Sequence, residues 1–420
     1  MGAIVGKLQA TTAYTPKGAV GSESNSARGI RIAILAALWL VPLVLLLLAF
    51  HFGWQVVWSS IGVPAEQVRF PDLRSITGAL TTLRAHGDPY VANPADPWQR
   101  ALNYPRIWLG IFSILGINDA DVAIPGIAFC LLYLLSVSVL IIRCRRNWEA
   151  LIVLIAALSL APLYGIELGN TDLLVFSIVF LGCAFERLPF RASAFFFAAV
   201  LKIYPIVALP VEAARRRGKQ RFGLLILAIL VVVIFGLQWR DLSAIRRATP
   251  VSSRMAFGSL AIRQQISEDW SGVPVLQAAA SWGAVAGCFL VGAFTAFAAW
   301  RSRSPLRQAI RDSANADIFA VFAAIYIFAF AIGSNWDYRL IFLLPTLPLA
   351  LDLLRKPEHR ILAGAYVALL LFAFNPLDLR SFYGAELSHL ATLSIFAMLS
   401  AGLAMQLGPA DAVNADKKIV

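Results

Sequence analysis

Residues able to do chemistry are sparse in this 420-residue chain and gather in a few places. The interval from His51 to Arg106, between two long apolar runs, carries Asp72, Asp88 and Asp96 among Tyr90, Tyr104, arginines and tryptophans. Asn170 and Asp172 follow in IELGNTDLLVF, and Lys202 and Tyr204 in the apolar stretch AVLKIYPIVALP. Late in the chain NWDYR supplies Asn335, Asp337 and Arg339. A carboxylate held ionised can take a proton from a hydroxyl, and lysine or arginine in a dry setting can hold an anion.

Each residue also has a plainer reading. Asp72 stands at the start of FPDLRSITGALTTLRAHG, which reads as a short amphipathic helix, so it could serve only as a helix-end charge. Asp88 in GDPY and Asp96 before Pro97 read first as turn residues. Lys202 is surrounded by apolar sequence; it either pairs with Asp172 or Glu167 or holds an anionic group. Arg339 either snorkels, pairs with Asp337, or binds phosphate. Arg106 is a third candidate for an anion. Arg69 and Arg74, close in sequence, would keep Asp72 charged. The tryptophans Trp54, Trp58, Trp239 and Trp282 read as interfacial anchors.

The elements that must position these residues are membrane helices. Apolar residues make up 59% of the chain, charged residues 14%, and the mean hydropathy is +0.72, well away from soluble-domain composition. The net charge of +12 is an orientation signal here rather than a nucleic-acid footprint. The four cysteines have no metal or redox spacing and the four histidines are scattered, so no cofactor is evident and a metal requirement stays open.

Residues 1–29 read as a disordered cytoplasmic segment, 30–407 as one integral membrane domain, and 408–420 as a cytoplasmic tail. Basic residues before Ile30 hold the first span's start inside, which places the 53–121 loop outside. Spans are expected over 30–52, 122–142, 149–163, 173–185, 222–239, 275–300, 318–332, 340–354, 361–374 and about 390–407. The stretch 191–221 is ambiguous. As one crossing it would export Arg215, Arg216, Arg217, Lys219 and Arg221 and invert every later loop. As a hairpin broken at Lys202-Ile203-Tyr204-Pro205 it keeps the basic clusters inside, and Pro205 makes that break reasonable. The expectation is an all-α polytopic bundle of about ten full spans plus one re-entrant hairpin, without strong internal repeats.

The order of Pro-Asp, GDPY, NYPR, GNTDLL, LKIYP and NWDYRLIFLLPTLPL resembles the bacterial polytopic glycosyltransferases of family 87, in the GT-C superfamily, similar to polyprenol-phosphate-mannose-dependent α-1,2-mannosyltransferases. The resemblance covers about residues 30 to 375. Where the family commonly has Gly-Gln-x-Asn, this chain has Gly169-Asn170-Thr171-Asp172. The resemblance implies a GT-C-like fold and an inverting transfer of a hexose, mannose first among them, from a polyprenyl-phosphate donor to a lipid or glycan acceptor hydroxyl. It puts the catalytic carboxylate, Asp72, in the first extracytoplasmic loop. Lys202, Arg339 and Arg106 would hold the donor phosphate, with Asp88, Tyr90, Tyr104, Asn170, Asp172, Tyr204, Asn335 and Asp337 lining the pocket. The setting implied is a bacterial plasma membrane. Two alternatives from other classes are a flippase of lipid-linked sugars and a non-catalytic polyprenyl-phosphate-binding protein of envelope assembly.

Overall fold

The structure is a computed structural model that describes residues 25–269, 274–302, 304–375 and 384–408. The expected disorder of residues 1–24 and the tail from 409 onward lie outside them. Residues 25–29, expected to be disordered, open the first helix, Asn25–Phe52.

The described chain is almost entirely helical. Among the described residues five helices are long and apolar enough to cross a membrane, or up to seven if two bent pairs each count as one span. The expected count of about ten full spans is therefore not reached by this measure, for a reason of length. The helices Thr171–Ala184, Leu188–Leu201 and Arg360–Ala373 have 14 residues each. At 1.5 Å per residue each reaches roughly 21 Å, short of the roughly 30 Å of a hydrocarbon core. The expected 340–354 span is instead a 3-10 segment, Asp337–Thr346, followed by the helix Leu347–Leu354. Pro345 and Pro348 remove the donors a continuous α-helix would need there. The expected 149–163 span runs on past residue 163, as Asn147–Ala157 and Leu160–Leu168 bent by 49°.

The ambiguous segment does turn back on itself. The helix Leu188–Leu201 ends where Lys202 becomes extended, a 3-10 turn covers Tyr204–Val207, and Ala208–Ala214 returns. Near the two free ends Arg191 meets the fully buried Glu212 at 3.6 Å. Arg215 and Arg216 also reach Glu212, so the base of the hairpin is an ion-pair cluster. Its tip, Lys202, lies at the other end of the neighbouring Thr171–Ala184 helix, against Asp172.

Between these polar ends the core is aromatic. Phe176 contacts Tyr133, Phe180, Phe322 and Phe342 with ring centroids 5.6–6.0 Å apart. The outward faces are apolar as well: Phe222, Ile226 and Phe294 are among many large side chains more than half exposed. Contiguous apolar surface on that scale suits a bilayer, not water. One feature was not expected at all. Ala256–Phe257, from the long connection after Gly218–Leu237, pairs antiparallel with Asn335–Trp336. This two-residue ladder fastens that connection to the start of NWDYR.

Candidate functional site

The site begins with a strained residue. Phe70 has φ 51°, a left-handed conformation that costs an aromatic residue roughly 1–2 kcal/mol. Burial offsets it: Phe70 is fully buried, its ring 4.7 Å from that of Trp54. The slot for that ring exists because two neighbours lack side chains. A Cβ on Gly126 or on Gly169 would come within 2.8 Å of Phe70 ring carbons. Gly169 has its own backbone reason, since its φ of 60° terminates the Leu160–Leu168 helix. Pro71 then opens the helix Pro71–Arg84, which puts Asp72 in its first turn against the Gly169-Asn170 corner.

There the carboxylate of Asp72 accepts a hydrogen bond from Asn170 Nδ2. Asn170 is also the cap of the next helix: its Oδ1 accepts from the backbone N–H of Asp172 at 2.7 Å and from Lys202 Nζ at 3.5 Å. Asp172, with no exposed surface, gathers the remaining groups. Lys202 Nζ lies 2.7 Å from Oδ1, Tyr204 donates its hydroxyl to the same oxygen, and Arg339 Nε donates to Oδ2 at 2.9 Å. Arg339 further donates to Asn335 Oδ1 at 2.8 Å, and Asn335 donates to the Ala329 carbonyl at 2.6 Å. Tyr104 covers the group, with Lys202 Nζ 5.3 Å from its ring centre. Asp72, Asn170, Lys202, Asp172 and Arg339 thus form one connected, largely buried chain.

Burial pushes the Asp72 carboxyl above its ordinary range, opposed by Arg100, by the Asn170 hydrogen bond and by Lys202. Burial also pushes the Tyr104 hydroxyl well up, reinforced by the negative charge of Asp72. That phenol stays protonated at any working pH, as a donor.

Several expectations are corrected. Arg106 is not in the cluster. Its guanidinium pairs with Asp241, Nη2 to Oδ1 at 3.0 Å, and its side chain is half exposed. Tyr90 lies between the two: Arg106 sits 5.1 Å over its ring, and its hydroxyl donates to the Tyr104 carbonyl at 2.9 Å. Asp88 is a turn residue, accepting from the Tyr90 N–H at 2.9 Å. Asp337 is buried beside the network, but Arg339 turns from it to Asp172. Neither Arg69 nor Arg74 reaches Asp72: Arg69 lies over the Phe50 ring and Arg74 pairs with Asp119. Two positions along a helix point nearly opposite ways, so Arg74 could not share a face with Asp72. Trp54 and Trp58 are buried rather than interfacial, and Trp54 Nε1 donates to the buried Glu167 at 2.8 Å. Trp239 and Trp282 are exposed.

Sequence reasoning missed Arg100, the strongest cationic influence on Asp72. It donates to Ser75 Oγ at 3.1 Å, one helical turn beyond Asp72, and stacks 4.0 Å over Trp98. Its spacing of four from Asp96 was the available signal. Asp96 is indeed a turn residue, accepting from the N–H groups of Trp98 at 2.8 Å and Arg100 at 3.2 Å, and it also accepts from Ser75. Missed too was Tyr338, whose ring lies 5.8 Å from that of Tyr164 next to Gly165.

Two carboxylates, Asp72 and Asp172, therefore stand among three cations, Lys202, Arg339 and Arg100. Arg100 is also paired with Asp96 at 3.4 Å, and Asp72 does not contact Lys202 or Arg339 directly. No protein-family model, no curated protein and no solved structure matches this chain.

Proposed function

We propose that the chain is a membrane glycosyltransferase of the family-87, GT-C type, moving a hexose from a polyprenyl-phosphate donor to an acceptor hydroxyl on the extracytoplasmic side of a bacterial plasma membrane. The observation that carries this reading is the Asn170 side chain, which joins the loop carboxylate Asp72 to the Lys202–Asp172–Arg339 cluster. A candidate base and two cations that share one carboxylate are thereby held next to each other.

The chemistry needs little more. The acceptor oxygen attacks the anomeric carbon from the face opposite the phosphate, and the new C–O bond forms as the bond to the phosphate oxygen breaks. The polyprenyl phosphate leaves with that electron pair, stable without a proton, so one base suffices. Asp72 takes the hydroxyl proton. Lys202 and Arg339, fixed by Asp172 and Tyr204, meet the charge that grows on the phosphate without having to reorganise. Arg100 keeps Asp72 ionised from the loop side.

A flippase is the weaker reading on one observation. Asp172 is the sole charge on the Thr171–Ala184 helix that runs through the centre of the bundle, so that helix offers no charged path across. The test is a panel of polyprenyl-phosphate hexoses, mannose first, incubated with the purified full chain. The parent should transfer or hydrolyse one of them. Asp72→Asn should lower the rate by roughly 10²–10⁴ while donor binding persists. Undiminished transfer by that variant would remove the assignment.

A further inference from the structure

Away from this site, a cavity of about 250 Å³ opens among the helices Pro274–Arg301, Leu347–Leu354, Arg360–Ala373 and Gly384–Leu407. Phe319 lines it near the start of the helix Ala316–Ile332, whose far end leads to Asn335. That helix separates cavity and site by roughly 20 Å at 1.5 Å per residue. We propose that the cavity is a binding site for one acyl chain of an anionic membrane phospholipid, independent of the transfer reaction.

The lining is the first argument. It is aliphatic and aromatic apart from His359 and three hydroxyls, and those hydroxyls are engaged within the protein. Thr346 and Tyr366 bond each other, and Thr295 bonds the Val291 and Gly292 carbonyls of its own helix. A cavity whose lining hydroxyls are already engaged holds water poorly, and an apolar one of about 150 Å³ takes up benzene. On that scale the present volume suits a chain segment of about ten carbons.

The surroundings are the second. Two of the bounding helices, Pro274–Arg301 and Gly384–Leu407, are themselves long and apolar enough to span a membrane. The lining residue Leu362 is 47% exposed, and Phe294, next to the lining residue Thr295, is 72% exposed. The cavity therefore communicates with the hydrocarbon-facing surface rather than with an aqueous channel.

Charge selects the head group. Lys356 and Arg360 flank the lining residue His359, with Glu358 the one acid between them, so this rim is net positive. Basic residues at a membrane surface favour anionic lipids. A phospholipid fits better than the branched donor lipid, because the site's own cations lie at the opposite end of the Ala316–Ile332 helix.

The experiment is native mass spectrometry of the full chain in detergent, titrated with phosphatidylglycerol, with phosphatidylcholine of the same chains, and with a polyprenyl phosphate. Phosphatidylglycerol should bind most tightly. Ala363→Phe fills the cavity and should weaken it by about tenfold or more, and Ala401→Leu, a milder filling at a half-buried position, should weaken it in the same sense if the first variant folds poorly. Arg360→Gln should erase the preference over phosphatidylcholine. Unchanged phosphatidylglycerol binding in a folded cavity-filling variant overturns the proposal. So does tighter binding of the polyprenyl phosphate that responds to the same substitutions. Loss of transfer activity alone would bear on the catalytic reading, not on this one.

Discussion

At the scale of single residues, the decisive group is Asp72, whose burial and hydrogen bonding pull in opposite directions. Burial raises its carboxyl above the ordinary aspartate range, while Arg100, Asn170 and Lys202 lower it. In its proposed role as a base that must be ionised, Asp72 then works better as pH rises through that elevated value. The acid limb of the transfer rate should lie above the ordinary aspartate range, and measuring rate against pH with a soluble acceptor checks it. The same shift sets a sign for stability. The folded state binds this proton more readily than the unfolded chain, so stability falls as pH climbs from the ordinary aspartate range through the raised folded value. Asp72→Asn removes that penalty. The variant should unfold at the same or a higher temperature than the parent at neutral pH, with the advantage gone in acid. Asp172 should behave oppositely, because it holds Lys202, Tyr204 and Arg339 together. Asp172→Ala leaves two buried cations uncompensated and should cost about 3–5 kcal/mol, measured by thermal or denaturant unfolding in detergent.

At the scale of elements, the site depends on a corner rather than on a helix. Phe70 enters a slot between Gly126 and Gly169, and this seats Pro71 and Asp72 against Asn170. Gly169→Ala combines a positive φ with contacts of 2.8 Å to Phe70 and 3.0 Å to Leu73. It should lower stability by about 1–3 kcal/mol and reduce transfer further than that loss explains, because the corner aims the base. Comparing residual activity with folded fraction separates the two effects. Gly78 plays a related part: a Cβ there would meet the Ala95 carbonyl at 2.7 Å, so the Pro71–Arg84 helix can lie directly on the loop that carries Asp96 and Arg100. The hairpin at Lys202 is the other positioning element, pinned at its base by Glu212 and at its tip by Asp172.

At the scale of the whole molecule, the bundle keeps its buried ionic groups at two ends. Asp72, Asp172, Lys202 and Arg339 lie at one, and Glu212 with Arg191, Arg215 and Arg216 at the other. In the proposed orientation the first end faces the outside. All four native cysteines are buried, so introduced ones report cleanly. Val91→Cys, in the first loop and 78% exposed, should react with a membrane-impermeant maleimide on intact cells. Glu358→Cys should react only after permeabilisation, and the reverse pattern would invert the topology.

Much of this was legible in the chain itself. Hydropathy is a local property, so the apolar runs, the break at Lys202-Ile203-Tyr204-Pro205 and the turn roles of Asp88 and Asp96 could be read without coordinates. The rarity of polar residues drew attention to Asn170, Asp172, Lys202 and Arg339, because burying such groups in apolar surroundings demands partners, whereas only the family resemblance set Asp72 apart from Asp88 and Asp96. Which partners they take was a different matter. That Lys202 and Arg339 share Asp172, that Arg106 leaves for Asp241, and that Arg100 rather than Arg69 or Arg74 stands by Asp72 are contacts between residues far apart in sequence or turned by a helix. The antiparallel pairing of Ala256–Phe257 with Asn335–Trp336 has no sequence period at all. Composition and spacing determined the class, a helical membrane protein, and a short list of candidate residues. Only the tertiary structure decided their pairing, because an ion pair or a close backbone approach is set by distances across the fold that no local pattern encodes.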